Sequence, residues 1–203
     1  MRFLSLFSNK LSTLRISHCL TFSELALILN QNNTSVIKKW VAEKNWPSTE
    51  VLLSISRIFG VSIDWLLSNI DHPYNEDFIL SLENELITSQ VCFGDNRISL
   101  FNPFSFPECY YNPELRKETY SLPVRANLVF LMTHEAMYQA YAYKHTLSSS
   151  EPLITTLKIN LFNNYNDKKI WSEAESRHKH YLSIFLQLIY NGKEATPIFN
   201  IID

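Results

Sequence analysis

Glycine is nearly missing from this chain: 203 residues contain three, Gly60, Gly94 and Gly192. A turn-rich β fold needs residues that enter positive φ at little cost, so this scarcity argues for helices. Cysteine is scarce as well. Cys19, Cys92 and Cys109 are odd in number and never spaced as C-x-x-C, which fits reduced thiols in a cytosol-like compartment better than a disulfide framework. Long apolar runs are lacking. The opening MRFLSLFS carries one arginine and a five-residue stretch, FLSLF, that is apolar except for Ser5, too short for a signal peptide, and no stretch reaches the roughly 20 apolar residues of a membrane span. Internal repeats and low-complexity tracts are missing too.

What is present is apolar mass, 46% of residues, with aromatics at 13%. That is enough for two cores in a chain long enough for a small domain of about 70 residues and a larger one of about 130. The boundary is expected in the polar stretch SNIDHPYNED, residues 68–77, which contains Pro73 and has no apolar periodicity. Residues 1–69 then form one domain, 70–77 a linker and 78–203 a second domain.

The first domain reads as a series of short helices. Thr21 precedes an apolar stripe of Phe22, Leu25, Ala26 and Leu29, with Glu24 at the capping-box position. The polar NQNN interrupts that face, and Asn33 or Thr34 can cap a second helix whose inward residues are Val36, Ile37, Trp40 and Val41. Pro47 disfavours helix at Trp46, and Ser48 or Thr49 opens TEVLLSISRIFG. Gly60 suits a left-handed cap and Ser62 starts a last short helix, SIDWLLSN. Trp65 and Leu66 there serve either the core, which is favoured, or a dimer contact.

This order of elements resembles the DNA-binding domain of the Cro/repressor (Xre-type) helix-turn-helix family, prophage repressors included. The matching residues are Leu14-Arg15, Glu24-Leu25-Ala26, Ile37 with Trp40, Pro47-Ser48, and the run from Phe59 to Leu67, over roughly residues 8 to 69. Three departures stand out: the turn NQNN is one residue longer than the family usually has, Phe22 occupies a position where the family often has a phosphate-binding glutamine, and Ala42-Glu43 replaces a loop that usually contains glycine. The resemblance implies a five-helix domain whose third helix lies in the major groove of double-stranded DNA. It implies Thr34, Ser35 and Lys39 as base readers and Asn33, Lys38, Lys44 and Asn45 as phosphate contacts. Without that context, the same polar residues would be the solvated face of a small helix.

Charge supports the resemblance modestly. Residues 1–68 carry seven basic and four acidic side chains, a balance of +3, whereas the remainder carries 11 and 16, a balance of −5. DNA contact is therefore expected in the first domain alone, and weak half-site binding favours a homodimer or higher oligomer on a pseudo-palindrome, with recognition helices about 34 Å apart.

The second domain is expected to be mostly helical, making the whole chain mainly α. Helical spacing covers Asp77 to Val91, Val124 to Tyr143, a segment starting at Ser150-Glu151-Pro152, and Lys168 to Tyr190. On the second, Leu128, Leu131, Met132 and Ala136 are expected on one side; on the last, Tyr181, Leu182, Phe185 and Ile189. Residues 97–123 hold six aromatics among Pro103, Pro107, Pro113 and Pro123, which suggests a compact loop or short strands. Its Phe104 and Tyr110 either pack a lid on the bundle or line a site for a small-molecule or protein effector.

No catalytic constellation is expected. The serine-methionine and distant lysine pattern of self-cleaving repressors is missing, and His134-Glu135 is followed by Tyr138 where a zinc protease helix needs a second histidine. His178 and His180 fall on different faces beside Arg177 and Lys179, a solvated basic patch more than a metal site. The expectation is a cytoplasmic, nucleoid-associated regulator without enzymatic activity, cofactor or membrane contact. The alternative from another class is a protein-interaction module that keeps the helix-turn-helix as a scaffold.

Overall fold

The computed structural model describes residues 2–88, 90–93, 96–99, 108–146, 153–154, 183–184 and 187–188. Among these the architecture is mainly helical, with one small antiparallel sheet.

Five helices precede residue 68: α1 (Arg2–Ser17), α2 (Phe22–Ile28), α3 (Thr34–Val41), α4 (Thr49–Phe59) and α5 (Ile63–Leu67). Their starts are capped by side chains in the usual way. Thr21 and Glu24 form a reciprocal capping box, with Glu24 Oε2 2.7 Å from the Thr21 amide and Thr21 Oγ1 3.2 Å from the Glu24 amide. Asn33, Ser48 and Ser62 cap α3, α4 and α5, each satisfying an amide that would otherwise be orphaned.

The ends of these helices show where the missing glycines matter. After α1, α2, α3 and α4 the chain enters the left-handed region at Cys19 (φ 53°), Asn30 (φ 52°), Glu43 (φ 57°) and Gly60 (φ 63°). Each turn closes with a backbone bond reaching back five residues, such as the Lys44 amide to the Lys39 carbonyl at 2.8 Å and the Gln31 amide to the Ala26 carbonyl at 2.8 Å. Three of the four do so without glycine. Only Gly60 is also tightly packed: a Cβ there would meet Ile79 Cδ1 at 2.8 Å and the Ala126 backbone at 3.5 Å. Gly60→Ala combines left-handed strain with this overlap, and is expected to lower stability by about 1–2 kcal/mol in chemical unfolding.

Ile79 and Ala126 belong to α6 (Glu76–Thr88) and α9 (Leu122–Thr146), so the later helices pack directly on the first five. The polar stretch 70–77 follows that surface. Pro73 is buried and its carbonyl accepts from the Ser62 amide at 2.8 Å, while Asn75 Oδ1 accepts from the Phe78 amide at the start of α6. On α9, ten consecutive residues, Val124–Thr133, are buried. Over Val124–Thr133 the one-sided face expected for this helix is therefore corrected: this stretch is enclosed on all sides. One core runs from Phe7 and Leu14 through Ile37, Ile55 and Phe59 to Leu128, Phe130, Ile184 and Leu188.

Strands β1 (Gln90–Phe93), β2 (Asn96–Ser99) and β3 (Leu153–Ile154) form the antiparallel sheet in the order β2-β1-β3. Val91 and Leu153-Ile154, expected in helices, are strand residues, and Val91 pairs with Ile154. A pairing across that distance in sequence leaves no mark on local periodicity. Within the proline-rich segment, where a loop or short strands were expected, the described residues after 107 form two short helices, α7 (Glu108–Tyr111) and α8 (Pro113–Thr119), in which Pro113 occupies the favoured first turn and Asn112 caps. Phe101, Phe104 and Phe106 lie outside the described residues, as do His178, His180 and most of the helix expected over 168–190. Of the last, 183–184 and 187–188 are helical, with Ile184 and Leu188 buried; Tyr181, Leu182, Phe185 and Ile189 of the expected face lie outside the described residues.

Candidate nucleic-acid interface

The seven residues singled out for DNA contact all lie on α3 and its flanks. Ile37 and Trp40 are buried, and the Trp40 carbonyl accepts a 2.6 Å bond from Ser8 Oγ of α1. These contacts fix which side of α3 faces out. Ser35, Lys38 and Lys39 are exposed and Thr34 is half-buried; Ser35 and Lys39, four apart, share one face. Lys44 and Asn45 are exposed just past the left-handed turn at Glu43.

Asn33 and Ser35 are brought together. Asn33 Oδ1 accepts from the Ser35 amide at 3.0 Å and also from the Ser35 hydroxyl. The cap thus occupies the asparagine oxygen and leaves its NH2 to donate, the polarity an anionic oxygen requires. It also occupies the Ser35 proton, so that hydroxyl is available mainly as an acceptor.

Lys38 is drawn elsewhere. Its Nζ lies 5.7 Å from the centre of the Phe22 ring, and the Arg15 guanidinium lies 4.5 Å from the same ring. Arg15 Nη1 further donates to the Leu20 carbonyl at 2.9 Å. The partner acid nearest in sequence, Glu24, has its carboxylate bound to the Thr21 amide and hydroxyl. Sequence reasoning had noted Arg15 and Phe22 one at a time; their convergence depends on α1, α2 and α3 meeting at one corner.

A second charged cluster was not legible at all. Glu83 of α6 is fully buried between Arg116 of α8 and Arg125 of α9, with Arg116 Nη1 at 3.0 Å and Arg125 Nη2 at 2.7 Å from Glu83 Oε2, and Arg125 Nε 3.0 Å from Glu83 Oε1. Glu76, half-exposed, adds a 3.4 Å contact to Arg125. Burial works against the Arg125 charge, yet the hydrogen bonds and negative charge of Glu83 outweigh it and raise the guanidinium pKa. The Arg116 guanidinium also lies 4.9 Å from the centre of the buried Tyr110 ring. Burial, then Glu83, pushes the Tyr110 phenol well above its ordinary pKa. Sealed from solvent, this cluster cannot meet a polyanion; it joins α6, α8 and α9.

His18, just after α1, is buried between Phe59 of α4 and Phe130 of α9, ring centroids 4.9 and 4.3 Å away. Burial lowers its pKa to about 4, and a neutral ring can donate Nδ1–H to the Leu14 carbonyl at 2.9 Å.

Among the described residues, no group of three His, Cys, Asp or Glu side chains could hold a metal ion, and no described helix is long and apolar enough to cross a membrane. Comparison of the chain with protein-family models, curated proteins and solved structures gives no match.

Proposed function

We propose that this protein is a sequence-specific DNA-binding transcriptional regulator of the Cro/repressor helix-turn-helix type, with α2 and α3 as its reading unit. The observation that carries this reading is the division of α3: Ile37 and Trp40 are buried while Ser35, Lys38 and Lys39 stand exposed. A helix held in that way can enter the major groove, about 12 Å wide, and bring its first turn and one later position to base edges. In this reading Lys39 donates to guanine acceptors, Thr34 and Ser35 meet neighbouring edges, and Asn33, Lys38, Lys44 and Asn45 set the register on phosphates. Such a regulator acts in the cytoplasm on the nucleoid. With few cations per domain, it works as a dimer or higher oligomer on a pseudo-palindromic site.

Selection of bound fragments from a random duplex pool, followed by affinities across salt, tests this. A recurrent pseudo-palindrome is expected, with Lys39→Ala costing about 1–3 kcal/mol on the selected site and relaxing the preference at one position. An unenriched pool together with salt-independent association would defeat the reading and favour a protein-interaction scaffold.

A further inference from the structure

We infer that α1 is a homodimer surface, pairing antiparallel with α1 of a second copy of this chain along Leu6, Asn9, Thr13 and Ile16. The inference rests on the DNA-binding reading for the need of a dimer, and supplies the face that reading leaves unassigned.

The first observation is exposure. Among the described residues, the two most exposed large apolar side chains are Phe3 and Ile16, at 64% and 62%, and both lie on α1. Asn9 and Thr13 are exposed between them and Leu6 is half-buried. From Leu6 to Ile16 the four positions are spaced three, four and three residues apart, the spacing of a two-helix seam. They form one stripe, on the side of α1 opposite buried Leu11. Phe3 flanks the start of the stripe, where Ile16 of the second copy arrives.

Charge and symmetry choose the partner. The first 68 residues carry a balance of +3, so two copies repel each other unless they meet on a neutral face. This stripe is neutral, because the cations within its span, Lys10 and Arg15, are turned to its two sides. Lys10 Nζ donates to the Trp65 and Ser68 carbonyls at the end of α5, and Arg15 Nη1 to the Leu20 carbonyl. The stripe is also symmetric about its midpoint: an antiparallel copy sets Leu6 level with the other Ile16, and Asn9 level with the other Thr13. Thr13 Oγ1 donates to the Asn9 carbonyl at 2.9 Å within its own helix, which leaves its lone pairs to accept from the side-chain NH2 of the second copy's Asn9. One asparagine enclosed in such a seam fixes its register.

The same pairing orients the reading helices. Around the axis of α1, Lys10 lies about 80° to one side of the stripe and Ser8 about 120° to the other, at about 100° per residue. The Lys10 flank holds α5; the Ser8 flank holds α3, through the 2.6 Å bond from Ser8 Oγ to the Trp40 carbonyl. A two-fold axis normal to the helix pair therefore carries α3 of both copies to one side, as a pseudo-palindrome requires. Each copy contributes one helix of 16 residues, about 24 Å long, so the interface is small and the dimer weak without DNA.

Sedimentation equilibrium of the full-length protein without DNA, from about 1 to 200 µM, tests this. Wild type is expected to dimerise with a Kd on the order of 10 µM. Ile16→Lys, at an exposed position, should raise that Kd about tenfold or more with little change in thermal unfolding. Asn9→Glu and Thr13→Lys should each weaken the dimer in the same way. Combined, they should return it to within about threefold of wild type, because antiparallel pairing sets each new carboxylate against a new ammonium while parallel pairing sets like charges together. Should one variant unfold, the others decide. A wild type that stays monomeric across this range overturns the interface and leaves the face to another occupant. Dimerisation indifferent to Ile16→Lys and Asn9→Glu, or a double variant as weak as its parents, overturns it equally. Each of these results leaves the DNA-binding reading to its own test. A dimer that responds as expected, in a protein whose duplex binding shows no salt dependence, keeps the interface and removes that reading.

Discussion

Glu83→Gln is expected to cost about 3–5 kcal/mol, enough to unfold much of a protein whose total stability is on the order of 5–15 kcal/mol. The reason is the ratio of charges in the interior. One carboxylate faces two guanidiniums, and Arg116, Arg125 and Glu83 are all essentially inaccessible to water. The amide would keep the shape but leave both cations buried without their anion, and the half-exposed Glu76 reaches only Arg125, at 3.4 Å. The loss would appear in urea unfolding as a shift of the midpoint with little change in slope. A combined replacement, Glu83→Leu with Arg116→Leu and Arg125→Met, should recover most of the stability, since a well-packed apolar set avoids the desolvation that the ions suffer. A Glu83→Gln protein within 1 kcal/mol of wild type would show that the cluster is not the joint between α6, α8 and α9.

The second large effect is on pH. His18 titrates near its ordinary value of about 6.5 when unfolded and at about 4 when folded. Between those values the unfolded chain binds more protons, so stability is full above about pH 6.5 and falls as the pH drops towards 4. A gap of that size corresponds to about 3 kcal/mol lost across the window. Protonation would place a cation between Phe59 and Phe130, where α1, α4 and α9 meet. Carboxylates titrate over part of the same range, so the measurement is a comparison. Unfolding of wild type and His18→Leu at pH 7 and pH 4.5 should show the smaller pH dependence in the variant. Equal pH dependence in the two proteins would remove His18 as the cause.

Both effects arise at contacts between the first five helices and the later ones, or among the later ones. Neither was visible in the sequence, although every residue involved was. Glu83 reads as one polar position among others on α6, and Arg116 and Arg125 as two ordinary cations. Local spacing reports which face of a helix is apolar, and a charge buried by partners 33 and 42 residues away carries no such signal. The same limit explains α9, whose apolar residues were assigned to one side. A stretch buried all round, as Val124–Thr133 is, gives a blurred periodicity, because polar Arg125 and Asn127 occupy positions that only tertiary contacts enclose.

The first 68 residues were far more legible. Their helices are set by local chemistry: a capping side chain at Thr21, Asn33, Ser48 and Ser62, and an apolar stripe of the right period behind each. Cap and stripe lie within a few residues of each other, so the sequence displays them together. The same nearness made α3 readable, with its cap narrowed to Asn33 or Thr34, of which the structure uses Asn33. Where the chain was read by composition alone the reading was weaker, since few glycines did not prevent a sheet held by Val91 and Ile154.

From its sequence alone, then, the chain determines which segments are helical near its start, where they begin, and which residues of α3 must turn inward. Those are short-range effects of hydrogen bonding and hydrophobic period, complete within one or two turns. Tertiary structure alone decided that Arg15 and Lys38 share the Phe22 ring, that Glu83 holds two arginines, and that His18 is sealed between two phenylalanines. Each is a meeting of side chains from separate helices, and the energy that fixes it, desolvation of charge against close pairing, exists only once the helices have packed.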